Sequence, residues 1–201
     1  MLSIDPKDLS AKEKYKFLIG SIIPRPIAFV TTLAEDGTLN AAPFSYFSVV
    51  SAQPPMISIS IQRSGLDQKD TARNILSAKS FVVHIVDEKN VVQVNETAAT
   101  LPSDQSEVIL SGLTPIPSEK IHVPGIKEAK IRMECRLEQA IEIGREAPSA
   151  DLIIGEIVRF HIDNNIYQDG RIDASKLAAV SRLAGNNYAK IGEIFALERP
   201  D

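Results

Sequence analysis

The sequence predicts a mainly β protein, an antiparallel barrel closed or nearly closed, with a few short helices. Three observations carry that prediction. Six or more segments read as strands, rich in β-branched residues and alternating apolar with polar at period two. The turns between the early segments are short, and one holds Asp36-Gly37, the dipeptide that supplies the positive φ a hairpin needs. Helical patterns are few and brief, and closing the sheet removes edges that would otherwise invite aggregation. A β-sandwich is the alternative architecture.

Taken in order, "MLSIDPKDLSAKEKYKF" is charged and lacks the apolar core of a signal segment. "IAFVTTL" (27–33) is a strand, "EDGT" (35–38) its turn, and residues 25–50 form a hairpin. The second arm carries "NAAPFSYF" (40–47), where Pro43 withholds an N–H and is expected to leave the ladder. Two readings stand there: the freed backbone of Ala42–Ser45 faces a flat ligand, or a bulge turns a barrel corner. "PPMISISIQ" (54–62) is a third strand, and the prolines before it cannot sit inside a central strand. "DTARNILSAKS" (70–80) is a helix with Asp70 as N-cap and Ala72, Ile75, Leu76 and Lys79 on one period, yielding to a strand at Phe81.

"FVVHIV" (81–86), "KIRMECRLEQAIEI" (130–143) and "LIIGEIVRFHI" (152–162) complete the strands, and "NVVQVNETAAT" (90–100) reads as a second helix. Between them, residues 102–128 hold Pro102, Pro115, Pro117 and Pro124 and should form an excursion of loops laid over the barrel. No repeat or linker divides the chain, so residues 1–201 are expected to be one domain.

Composition narrows the function. A formal charge of -4 and a pI near 5.5 lack the basic footprint of a nucleic-acid binder. No apolar run reaches the length of a membrane span, and the single cysteine cannot form an internal disulfide, so a cytoplasmic protein is expected. Cys135 shares a strand face with Ile131, Met133 and Leu137, which reads as a buried thiol rather than a nucleophile. His84, His122 and His161 have no companions at metal-ligand spacing, so no metal is expected. Hydrolase and P-loop signatures are absent. "QKDTARN" places Lys69, Thr71 and Asn74 around a helix start, where backbone N–H groups favour a phosphate; the plain alternative is a cap and a solvated lysine.

Together, "RPIAFVTT", "DGTLNAAPFSYF", "PPMISISI", "KDTARNI" and "SRLAGNNYAKIGEIFALERP" resemble the flavin reductase-like, FMN-binding split-barrel family. The resemblance runs from about Gly20 to Pro200 and implies an antiparallel Greek-key split β-barrel, a homodimer holding FMN non-covalently near the subunit interface. It implies that Thr31 and Thr32 lie beside the flavin and that Asn40 and the bend of Ala42, Pro43, Phe44, Ser45 and Tyr46 line the isoalloxazine. Lys69, Asp70, Thr71 and Asn74 match the phosphate block, and Arg182, Gly185, Asn186 and Tyr188 match a C-terminal block that closes near the cofactor. Packing in the core is the alternative role for Tyr188.

The activity implied is hydride transfer from NAD(P)H to FMN, which demands stacking and alignment and no acid or base, so no catalytic side chain is assigned. With no dinucleotide fingerprint, NAD(P)H would bind on the flavin face itself, under the excursion at 102–128. The partner implied is an oxygenase or an electron-transfer protein. Two other functions fit the same fold: an electron-transfer flavoprotein that retains its FMN, and a flavin-binding module without turnover.

Overall fold

In the computed structural model, which describes residues 1–99, 101–102, 105–144 and 147–200, helices are short and strands dominate. The chain opens with helix α1 (Ala11–Ser21), started by a capping box in which Ser10 and Glu13 satisfy one another's backbone N–H groups. Strands β1 (Arg25–Pro26), β2 (Ala28–Leu33), β3 (Leu39–Phe44), β4 (Phe47–Ala52) and β5 (Pro55–Gln62) follow. Helix α2 (Asp70–Ala78) leads into β6 (Ser80–Ile85), and α3 (Val91–Glu96) and α4 (Glu107–Leu110) come next. A two-residue pairing of β7 (Pro115–Ile116) with β8 (Gly125–Ile126) precedes the long strands β9 (Ile131–Ile143) and β10 (Ala150–Ile162). The chain finishes with the β11 (Tyr167–Gln168) and β12 (Arg171–Ile172) pair, α5 (Ala174–Leu177), β13 (Val180–Arg182) and β14 (Tyr188–Lys190).

Seven strands form one antiparallel sheet in the order β3-β2-β6-β9-β10-β5-β4. Its two edges, β3 and β4, are consecutive in the chain and separated only by Ser45 and Tyr46. Two residues span at most about 11 Å, so the sheet has to curl until its edges meet. They meet without a shared ladder, the split that the family resemblance implies. The enclosed face confirms the curl: Val30, Phe44, Ile59, Val83, Cys135 and Ile153 come from six different strands and pack in one cluster, closed at one end by Ala72 and Ile75 of α2. Cys135 is fully buried in that cluster beside Ile131 and Met133, and burial pushes its thiol pKa up. A second cluster lies outside β2 and β3, where Phe29 and Ala41 are covered by Val94 of α3, Val108 of α4 and Ile126 of β8.

The Asp36-Gly37 turn is present: Ala34 and Thr38 close a three-residue loop, Gly37 takes φ 90°, and Asp36 accepts the Thr38 N–H. Two local expectations are corrected. Pro43 stays in register opposite Phe29, with no bulge between β2 and β3. The reason is position. The neighbouring Ala41 N–H points off the sheet edge to Glu107, so Pro43, two residues on, directs its missing N–H to the same unpaired side. The helix at 70 is capped by the Lys69 backbone, not by Asp70; Asp70 is its first residue and pairs with Arg73.

The helix expected at 90–100 exists as α3, with Thr100 outside the described residues. The excursion at 102–128 carries α4 and the β7–β8 pair besides its loops, and residues 103 and 104 lie outside the described residues. No helix is long and apolar enough to cross a membrane among the described residues.

Candidate functional site

Strand β3 links two polar centres. At its first end, Thr32, Asn40, Thr71 and Asn74 are all buried and bonded to one another. Asn40 Oδ1 accepts the hydroxyls of Thr71 at 3.0 Å and Thr32 at 3.2 Å, and Asn74 Nδ2 donates to Thr32 Oγ1 at 3.2 Å. The amide nitrogen of Asn40 donates to both oxygens of Glu107, at 3.0 and 3.1 Å, and Glu107 also accepts the Ala41 N–H at 3.1 Å. Four residues from three sequence blocks thus become one joint, and α2 is fixed to the barrel through it. Thr31 is excluded from the joint. Neighbours on a strand face opposite ways, and its hydroxyl donates to the Pro124 carbonyl at 2.7 Å, tying β2 to the excursion.

At the other end of β3, Pro43, Phe44 and Ser45 line a cavity of about 220 Å³ with Tyr15, Asn95, Arg182 and Tyr188. Tyr188 donates its hydroxyl to Asn95 Oδ1 at 2.8 Å, and the Arg182 guanidinium sits 4.5 Å above its ring. Arg182 also reaches the Gly185 carbonyl, which folds the β13–β14 turn under it. Beside this cavity a second one, of about 410 Å³, takes in Ser45, Tyr46, Phe47 and Arg25. Arg25 is buried and donates to the carbonyls of Ile19, Ile22 and Leu183 and to Ser45 Oγ, so it holds α1, the C-terminal turn and the β3–β4 link together.

Of the sequence-predicted residues, the structure gathers Pro43, Phe44, Ser45, Arg182 and Tyr188 around the smaller cavity and Tyr46 around its neighbour. Thr32, Asn40, Thr71 and Asn74 form the buried joint, and Ala42 packs against the barrel core. Lys69 is exposed at the start of α2, Asp70 is turned to Arg73, and Asn186 is exposed in the β13–β14 turn beside Gly185. Sequence reasoning missed Glu107, Arg25, Asn95 and Tyr15. Arg25 had a legible signal, a lone cation between Pro24 and Pro26 at the mouth of an apolar strand. Glu107 had none, since a buried carboxylate and a solvated one look alike in sequence.

Comparisons with known proteins bear on this arrangement. The model of the family described as flavin reductase like domain matches residues 19–176. The chain is 52% identical over 196 residues to the uncharacterized protein YwrF of Bacillus subtilis, covering 96% of each chain. The crystal structure of nitrilotriacetate monooxygenase component B from Bacillus cereus superposes with a TM-score of 0.97 at 56% identity, covering 98% of both chains. Pseudomonas fluorescens 2-nitrobenzoate 2-nitroreductase gives a TM-score of 0.90 at 31% identity, covering 99% of this chain and 96% of that one.

Proposed function

The chain belongs to the flavin reductase-like, FMN-binding split-barrel family, and from that premise we propose that it is an NAD(P)H-dependent flavin oxidoreductase binding FMN non-covalently. It is an oxidoreductase in which reduced flavin is either released or passes its electrons to a partner protein. The observation that carries this reading is the continuity of β3, which runs from the buried joint beneath α2 to the cavity lined by Pro43, Phe44, Arg182 and Tyr188. An extended mononucleotide needs such a track, with a flat wall at one end and phosphate donors at the other.

The residues fit the group. Beyond Glu107 the edge of β3 is free of a neighbouring strand, so the Pro43 carbonyl and the Ser45 backbone can meet the polar rim of a flat ring. Tyr188 and the Arg182 guanidinium offer aromatic and cationic surface to stack on it. At the other end, Lys69 and the first N–H groups of α2 offer positive charge to a phosphate, with Thr71 held in place by Asn40. When bound, FMN supplies the hydride-accepting ring. The chain's own residues bind and align it, Arg182 places a cation beside the ring site, and no side chain is asked to move a proton.

The working unit we propose is a homodimer of single-domain chains, residues 1–201, in the cytoplasm. Its support is apolar surface left uncovered by the described residues: Leu18, Ile22 and Ile23 at the end of α1, Val49 in β4 at 75% exposure, and Phe195 and Leu197 in the C-terminal tail at 76% and 83%. Such surface is what a partner subunit would bury. An oxygenase partner is supported by the similarity to a protein named as a monooxygenase component.

Steady-state oxidation of NADH and NADPH, with and without added FMN, tests the activity. Turnover that rises with added FMN supports the proposal. A flavin-loaded protein inert to both nicotinamides refutes it in favour of an electron-transfer flavoprotein. Light scattering should report about twice the chain mass at micromolar concentration.

A further inference from the structure

On the outer face of the sheet, three side chains stand in a row: Arg132 of β9 is the cross-strand neighbour of His84 in β6 and of His161 in β10. Their surroundings differ. His84 is fully buried, with Nδ1 2.8 Å from the Phe29 carbonyl and Nε2 accepting the Ile126 N–H at 2.9 Å. A carbonyl can only accept and an amide can only donate, so His84 carries its proton on Nδ1 and is neutral. His161 has its Nε2 2.6 Å from Glu134, a buried carboxylate that also accepts the N–H groups of Glu119 and Lys120.

Arg132, between them, is half-buried, and its side chain makes a single hydrogen bond among the described residues, a long one of 3.5 Å from Nη1 to the Ile126 carbonyl. It forms no ion pair among the described residues. The chain treats its structural arginines otherwise. Arg25 donates to three carbonyls and a hydroxyl, and Arg63 to two carboxylates. The Arg132 stem packs close to Gly125, where an added Cβ would lie 3.0 Å from its Cδ. A guanidinium with five donors has been placed, partly desolvated, with most of them unused.

Those donors belong to a surface cavity of about 470 Å³ lined by Arg132, Lys127, Lys130, His161, Phe160 and Asp163. Lys130 is already engaged, donating to the carbonyls of Lys176 and Leu177 with Asp87 3.3 Å away. Asp163 accepts from the backbone and side chain of Asn165. Glu134 is saturated by two amides and His161. Of the cations lining the cavity, Lys127 and Arg132 have no ion-pair partner among the described residues, while Asp163, bonded only to neutral Asn165 groups, keeps its negative charge at the cavity rim.

We propose that this cavity is an oxyanion-binding site, taking the phosphate or carboxylate group of a small ligand on the Arg132 guanidinium with Lys127 as second cation. It lies on the outer face at the β9–β10 end, lined by none of the residues assigned to flavin, so the proposal stands whether or not the flavin reading does. A planar guanidinium presents paired N–H groups that match two oxygens of either anion, and partial burial strengthens each such bond.

The test follows the Arg132 Nε–H and the backbone amides of Lys127 and His161 by 15N NMR during titration with inorganic phosphate, and separately with succinate. Saturable shifts confined to the cavity are expected in at least one arm, and the tighter anion identifies which group the site prefers. Arg132→Gln should weaken binding by about tenfold or more and Lys127→Gln by about threefold, while the exposed Arg136→Gln leaves it unchanged. Shifts that never saturate with either anion, or that persist unaltered in Arg132→Gln, overturn the proposal. Should Arg132→Gln fail to fold, Lys127→Gln decides by the same titration.

Discussion

Replacing Glu107 with Gln exchanges one acceptor oxygen for a donor beside Asn40 of the buried joint, and its cost follows from the geometry. The carboxylate accepts from two donors, Asn40 Nδ2 at 3.0 and 3.1 Å and the Ala41 N–H at 3.1 Å, at a site where Glu107 is 6% and Asn40 8% exposed. A carboxamide has a single oxygen, so its NH2 must face one of those donors. Flipping Asn40 would not relieve the clash, because its Oδ1 would then abandon the hydroxyls of Thr32 and Thr71. With its oxygen at the Oε2 position the carboxamide keeps both donors, but its NH2 then faces Asn40 Nδ2 at the Oε1 position, a buried donor-to-donor contact that costs about 1–3 kcal/mol, and Glu107→Ala, which strands both donors, about twice that. Urea unfolding of the flavin-free protein measures the loss as a lower midpoint with unchanged slope. A Glu107→Gln midpoint equivalent to less than about 0.5 kcal/mol, the size of an ordinary surface substitution, would refute the claim that the joint is a sealed unit.

Three further outcomes are expected. Lys69→Ala should weaken FMN by about 1.5–3 kcal/mol, roughly tenfold to a hundredfold, yet leave riboflavin unchanged; fluorescence titrations with both ligands would show a misplaced phosphate site as equal losses or none. Gly155→Ala would set a Cβ 2.4 Å from Cζ of the fully buried Phe81, so thermal unfolding should reveal a loss near the top of the about 1–3 kcal/mol range for overpacking. Burial lowers the His84 pKa to about 4, so its neutral form stabilises the fold above the unfolded value near 6.5, and that share is lost as pH falls through about 4. Between pH 7 and 4 the wild type should lose on the order of 3 kcal/mol more than His84→Gln in denaturant unfolding; equal losses would place the pH sensitivity elsewhere.

The strands were legible because burial on one face writes itself into the sequence at period two. Ile131, Met133 and Cys135 could be assigned to the core from spacing alone, and the Asp36-Gly37 turn from its required φ. Edges are not written that way. Pro43 read as a break because nothing in the sequence says that β3 lies at the rim, where a missing N–H costs nothing. The N-cap was misplaced by one residue because Asp70, a favoured capping type, serves Arg73 instead. Thr31 and Thr32 looked equivalent in sequence, yet strand alternation sends them to opposite faces, one to Pro124 and one to Asn40. Helix α1 escaped notice because only Ile19 on it is buried, which leaves no apolar stripe facing the core. Contacts such as Asn40 with Glu107, 67 positions apart, have no local signature at all.

The account rests on FMN binding along β3, and the direct measurement is titration of flavin-free protein with FMN, followed by flavin fluorescence and checked by equilibrium dialysis. The expected result is saturation at one FMN per chain, with tighter binding than riboflavin because the phosphate adds charged hydrogen bonds at the start of α2. Non-saturable uptake, or riboflavin binding as tightly as FMN, would contradict it.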